Sequence, residues 1–203
     1  MKIGMIGAGS VALAIARYAL ASGHEVLLSN SRGPETLADV VNSLPSGVSA
    51  ATIAEAGAAD LTILATPWLA VEAALSAVTD WSGRVLIDAT NPFVQTTPKL
   101  VLAELGEQGA SEIIANLAPG ARVVKAFNSV YMSNFVAGAT RDAARRVLFV
   151  SGDDKQAKST VTELISSFGF IAVDLGSLAS GGRLQQAGGP LAGHDFLISE
   201  NAN

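Results

Sequence analysis

The chain has 203 residues, 49% of them hydrophobic and only 15% charged, with no Cys and a formal net charge of -5 at pH 7. That length predicts one domain able to bury about 70% of its unfolded surface without disulfide staples. The lack of Cys excludes thiol catalysis, iron–sulfur clusters and Cys-based zinc sites, and the acidic balance argues against a basic face for nucleic acid.

Residues 2–6 read as a buried strand and residues 10–22 as a helix stopped by Gly23. Between them stands Gly7-Ala8-Gly9-Ser10-Val11-Ala12, a G-x-G-x-x-A loop that leaves a strand and opens a helix. Gly7 permits the tight turn, Gly9 lets a pyrophosphate approach the backbone, and Ala12 allows close helix–strand packing. The helix N-terminus offers its free N–H groups and the positive end of its dipole to phosphate. A dinucleotide site is expected here.

The second strand, 25–29, ends in Leu28-Ser29-Asn30-Ser31-Arg32-Gly33. NAD-binding chains usually carry a carboxylate at this point to hold the ribose 2′-hydroxyl. Here Asn30 and Ser31 offer hydrogen bonds, and Arg32 offers a planar, charged fork suited to a 2′-phosphate. NADP(H) is therefore expected over NAD(H).

Further along, a helix runs from Pro34 to about residue 44, followed by an edge strand at 47–50 and a short helix at 52–57. A strand at 61–65, a helix at 68–78 and a strand at 84–88 come next. Residues 100–106 and 111–118 read as helices, 122–126 as a strand and 132–138 as a short helix or turn. The last part has a strand at 146–151, a helix at 154–168, a strand at 170–174 and a weakly patterned tail. Continuous apolar strands alternating with helices predict an α/β chain with a Rossmann-type, doubly wound, mainly parallel sheet and additional C-terminal strands. Residues 1–203 are expected to form one unit, with 1–138 as the dinucleotide-binding core and 139–203 as its extension. No apolar run reaches the ~18 residues of a membrane span, and no signal-peptide pattern opens the chain, so a cytoplasmic protein is expected.

Ligands of open α/β sheets bind beyond the carboxyl ends of the strands. Ala65-Thr66-Pro67 and Ala89-Thr90-Asn91 close two such strands and are expected at the cofactor. Trp68 reads either as a wall for a ring or as core, and Pro92 is placed on the substrate side. For Lys125 two readings stand: a contact to phosphate or substrate, or a snorkelling side chain at a sheet end. Asn128, a donor and acceptor at a strand end, is the candidate orienter of cofactor or substrate; no other catalytic group is assigned. Hydride transfer needs proximity and orientation more than an acid or base. His24 reads as structural, and His194 lies in a Gly-rich tail within reach of a partner subunit. Asp153-Asp154 reads as a helix N-cap rather than a metal site, and Arg183 as a tie for the tail. No metal site is expected.

Four segments together carry a family resemblance: the first 35 residues, LTILATPW, VVKAFNSV and VSGDDKQAKSTVTELISSFGFIAVDLGSLASGGRL. They resemble the NADP oxidoreductases that use the deazaflavin coenzyme F-420. They are equally similar to the cytosolic reductase domain of the six-transmembrane metalloreductases, which pairs NADPH with a flavin. The resemblance implies direct hydride transfer between NADPH and a flavin-like ring. It matches Ser31 and Arg32 to the 2′-phosphate site and Thr66-Pro67-Trp68 to the nicotinamide-side loop. It matches Lys125-Ala126-Phe127-Asn128-Ser129-Val130 to the strand end lining the nicotinamide and second-ring pocket. It also implies a homodimer. After Leu184 the chain departs from the deazaflavin enzymes: Gln185–Gly193 replaces the start of a longer apolar helix. Three functions stay open: reduction of a flavin or deazaflavin, reduction of a small carbonyl or imine, and a non-catalytic NADP(H)-binding module.

Overall fold

The computed structural model describes residues 1–199. Its central sheet begins with six parallel strands in the spatial order β3 (Val48–Ala50), β2 (Glu25–Ser29), β1 (Lys2–Ile6), β4 (Leu61–Leu64), β5 (Val85–Asp88) and β8 (Arg122–Lys125). This is the 3-2-1-4-5-6 order of a doubly wound nucleotide-binding sheet. Strand β10 (Ala144–Gly152) joins β8 antiparallel, and β11 (Ile171–Asp174) lies parallel to β10 on its far side. Short strands β9 (Thr140–Arg141) and β12 (Leu197–Ser199) pair antiparallel with the first half of β10. The expected additional C-terminal strands are thus present, though only β10–β11 pair in parallel among them.

Alternation along each strand sorts the core onto the two faces of the sheet. Ile3, Met5, Ile63, Ile87 and Val124 join one cluster with Ile15 of α1 (Ser10–Ala21) and Val161 of α7 (Lys155–Ser167). Ile6, Leu64, Leu86 and Val123 join the other with Leu75 of α4 (Val71–Ser76) and Ile114 of α5 (Ala110–Leu117). The first cluster runs on through Phe127, Phe135, Leu148, Val150 and Phe170, so the first 138 residues share one core with those that follow. Residue Phe135 belongs to α6 (Met132–Val136).

Two expected helices are divided. Pro34–Leu37 and Trp68–Ala70 are 3-10 turns that lead into α2 (Ala38–Asn42) and α4. The short helix α3 (Ile53–Gly57) starts on Thr52, which with Glu55 forms a capping box. The expected helix at 100–106 does not form. Residues Val101–Leu102 are instead strand β7, paired with β6 (Phe93–Gln95) in a two-stranded hairpin outside the main sheet. The physical reason is burial: a short helix depends on packing of an apolar face, and Leu100, Val101 and Leu102 are 66%, 42% and 39% exposed, so no core face stabilises a helix here.

Candidate active site

The strand register lines up one edge of the sheet. Ile6 pairs with Ser29 and Leu64, Leu64 with Asp88, and Asp88 with Lys125, so five strand ends finish level. The loops leaving them frame two cavities, one on each side of the turn into α1.

The first cavity, about 410 Å³, is lined by Gly7, Ala8 and Gly9, by Asn30 and Ser31, and by Ala65, Thr66 and Pro67. Gly7 sits at φ 125, and a Cβ there would fall 2.2 Å from the Ala65 carbonyl oxygen. The turn therefore demands glycine twice over, for conformation and for space. Gly9 differs: its φ is -85, and a Cβ on it would meet nothing within 4 Å. It is the N-cap of α1, which has no side-chain cap and no acidic residue in its first turn. The helix start thus faces open space with its backbone donors. Ser10 is exposed at the first helical position. Asn30 is tied down: it donates to Thr36 Oγ1 at 2.9 Å and accepts the Arg32 N–H at 2.9 Å. Ser31 and Arg32 are exposed beside the cavity, and the Glu35 carboxylate lies over Gly33.

The second cavity, about 470 Å³, contains Val11 on the α1 side and Ala89, Asn91, Phe127, Asn128, Ser129 and Val130 from the ends of β5 and β8. Phe127 is a buried aromatic residue at φ 66, a conformation that strains any non-glycine residue. Its ring is packed near Phe135 and Phe168, which holds it there. Asn91 and Asn128 are coupled: Asn91 donates from Nδ2 to the Asn128 carbonyl, and Asn128 donates from Nδ2 to Asn91 Oδ1 at 3.1 Å. Asn128 Nδ2 also donates to the Gln185 carbonyl at 2.7 Å, which fixes the orientation of its amide. That leaves Asn128 Oδ1 buried with no hydrogen-bond partner among the described residues.

Four expected site residues lie elsewhere. Lys125 neither reaches a cavity nor snorkels. It is fully buried, and its Nζ donates to Asp88 Oδ2 at 2.9 Å and to the Thr90 carbonyl at 3.2 Å. Thr90 is likewise buried and turns its hydroxyl onto Asp88 at 2.7 Å. Trp68 lines neither cavity; it is partly buried and packs against the core cluster that contains Val71, Leu75 and Leu86. Pro92 is buried beside the second cavity, in a neighbouring depression shared with Arg183. Arg183 itself is held by Glu112, Nη2 to Oε2 at 2.8 Å. His194 is exposed and stacks edge-on near Phe196 rather than facing the cavity. Asp154 caps α7 by accepting the Ala157 N–H at 2.7 Å. Among the described residues no group of three or more His, Cys, Asp or Glu could hold a metal, and no helix is long and apolar enough to cross a membrane.

Sequence reasoning missed two walls of the second cavity. One is the β6–β7 hairpin with Phe93, Leu100 and Leu102; the other is the tail with Ala187, Gly188, Ala192 and Gly193. The Ala187 N–H donates to Asn91 Oδ1 at 3.0 Å and the Gly193 N–H to the Ser129 carbonyl at 2.7 Å. Glycines spaced without an apolar period announced a turning chain, but not where it docks.

The comparisons agree with this architecture. Residues 2–92 match the family described as NADP oxidoreductase, coenzyme F420-dependent. A solved structure of a hypothetical protein from Sinorhizobium meliloti is 38% identical, covers 98% of this chain and 97% of its own, and superposes with a TM-score of 0.90. A protein from Arthrobacter sp. FB24, described provisionally as an F420-dependent NADP-reductase, is 30% identical over 88% of this chain and 86% of its own, with a TM-score of 0.76. Rat (Rattus norvegicus) metalloreductase STEAP3 is 34% identical over 180 residues, which are 88% of this chain. The chain spans about a third, 34%, of that curated relative's length. A doubly wound sheet, a glycine turn open at its second glycine, and these likenesses along nearly the whole chain place it together: it belongs to the coenzyme F420-dependent family of NADP oxidoreductases.

Proposed function

We propose that this protein is an NADPH-dependent reductase that delivers hydride to a flavin or deazaflavin-type ring. The observation that carries the reading is the pair of cavities along the level strand ends, with Gly7–Gly9 lining one and Val11 of the same α1 start lining the other. The first cavity fits a dinucleotide: open space lies where a Gly9 Cβ would stand, at an uncapped helix N-terminus. Gly7, Ala8, Gly9 and Ser10 hold the pyrophosphate, and Asn30, Ser31 and Arg32 the phosphorylated ribose. Ala65, Thr66 and Pro67 would cover the cofactor, and Val11, Ala89, Asn91 and Asn128 would line its nicotinamide end. NADPH, when bound, supplies the hydride. The chain's own residues do the positioning. Asn128, whose amide is bonded to Asn91 and to the Gln185 carbonyl, braces the wall of the acceptor pocket, and Phe127, Ser129 and Val130 exclude water around the acceptor ring.

We also infer that residues 1–203 act as one unit and that the protein is a cytoplasmic homodimer. The core shared across residue 138 supports the first, and exposed Leu69, Val136 and Ile198 the second. Light scattering in solution tests the dimer. For the function, NADPH oxidation is followed at 340 nm with FMN, FAD and a deazaflavin, beside small carbonyl and imine compounds. Turnover with a ring acceptor is expected. Turnover with carbonyl or imine compounds alone, or NADPH binding with no acceptor at all, overturns the reading.

A further inference from the structure

We infer that Tyr131 and the hairpin leucines Leu100 and Leu102 are the specificity-determining walls of the second cavity, and that they recognise an uncharged, planar, multi-ring acceptor by its faces and not by its tail. This rests on the reading of that cavity as the acceptor site.

Three large apolar side chains stand exposed around this one cavity: Leu100 at 66%, Tyr131 at 63% and Leu102 at 39%. Apolar surface gathered at a concave site marks something that covers it. Two of them, Tyr131 and Leu102, are also held in place. The Tyr131 carbonyl accepts the N–H groups of Asn134 and Phe135 at the start of α6. A Cβ on Gly193 would stand 3.2 Å from the Tyr131 hydroxyl and 3.3–3.4 Å from its ring, so the tail backbone packs directly against this side chain. Leu102 is in register with Phe93 in the hairpin, and a Cβ on Gly188 would fall 2.8 Å from its Cδ1. Both tail glycines have positive φ, so the same positions that turn the chain leave room for the walls.

Charge is the second observation. None of the side chains lining the cavity among the described residues is Asp, Glu, Lys, Arg or His. The guanidinium of Arg183, in the adjoining depression, is held by Glu112 through Nε at 3.1 Å and Nη2 at 2.8 Å. An acceptor's phosphate therefore meets no cation on the cavity lining itself, the exposed Lys99 standing beside Leu100 on the hairpin. The inside of the cavity instead offers apolar and ring surface, and its amide side chains Asn91 and Asn128 are bonded to one another.

The test uses riboflavin and FMN as probes, which share one ring system and differ by a phosphate. Each is titrated into the full chain, following quenching of flavin fluorescence, with NADPH affinity measured separately. Both flavins are expected to bind within about threefold of one another. Tyr131→Ala should weaken both by on the order of tenfold, the scale of one lost aromatic stack. Tyr131→Phe should bind like the parent chain, and Leu100→Ser with Leu102→Ser should weaken binding several-fold; NADPH affinity should not move in any of them. FMN binding far tighter than riboflavin overturns recognition by faces alone. Equal loss in Tyr131→Phe and Tyr131→Ala assigns the hydroxyl, not the ring, and also overturns it. If flavins bind and are reduced but Tyr131→Ala is unaffected, these walls fail while the proposed function stands. If NADPH binds and neither flavin does, the reading of the acceptor site fails, and this inference with it.

Discussion

Lys125 Nζ lies 2.9 Å from Asp88 Oδ2, and both side chains are completely buried at the ends of adjacent strands. Asp88 also accepts from Ser111 Oγ and from the N–H and hydroxyl of Thr90. Lys125 donates to the Thr90 carbonyl as well, so Thr90 is gripped at three atoms between two cavity residues, Ala89 and Asn91. Removing one partner of a buried pair strands the other charge, whereas removing both does not. Lys125→Met should therefore cost about 3–5 kcal/mol of stability. The double variant Lys125→Met with Asp88→Asn should recover part of that loss. Urea denaturation measures both, and equal losses for the single and double variants would contradict the account.

Gly7 and Gly9 should respond in opposite ways. Gly7→Ala must fit a Cβ 2.2 Å from the Ala65 carbonyl at a φ of 125, so it should lower the melting temperature markedly. Gly9→Ala has free space and an ordinary φ, so the fold should keep its stability while NADPH affinity falls at least tenfold. Thermal unfolding and a fluorescence titration separate the two. A Gly9→Ala chain that binds NADPH normally would place the pyrophosphate elsewhere.

Arg32 is exposed beside the first cavity, with its N–H bonded to Asn30 Oδ1. Its side chain can be removed without disturbing that turn. Arg32→Ala should weaken NADPH on the order of tenfold or more, the scale of a charge-assisted phosphate contact, and leave NADH within about twofold. Equal loss for both nucleotides would remove Arg32 from the 2′-phosphate.

Glu112 closes the start of α5 by accepting the Gly109 N–H at 2.6 Å, and it also receives Arg183. The backbone hydrogen bond from Gly109 holds its carboxyl below the usual glutamate value, with burial opposing and Arg183 assisting. A depressed folded-state pKa contributes stability that is fully present above the unfolded value of about 4.5 and is lost as pH falls through the folded value. The parent chain should therefore lose stability below about pH 4.5 more steeply than Glu112→Gln. Denaturation midpoints between pH 3 and 7 check this, and parallel curves would show that Glu112 does not contribute.

The part of the first cavity built by residues 2–33 was legible because it is local, while Ala65, Thr66 and Pro67 reach it from the end of β4. A strand, a glycine turn, a helix start and the next strand end follow one another within a short run of chain, and their spacing alone brings them together. The second cavity was legible only in part. Phe127, Asn128, Ser129 and Val130 follow a strand end, so they fall on the correct edge. Lys125 was misread because a buried lysine at a strand end has the same sequence signature as one that reaches a phosphate. Only the arrival of Asp88 on the neighbouring strand distinguishes them.

From the sequence alone came the α/β class, the parallel sheet, the glycine turn and the expectation of NADP(H). Each depends on period, on glycine conformation or on residue type within one segment. The tertiary structure decided what the acceptor would meet. Asn91 touches Asn128 and Ala187, 37 and 96 residues away, and the hairpin and tail close the cavity from segments with no helical or strand period. Such contacts are set by packing across the whole chain, so no local pattern records them.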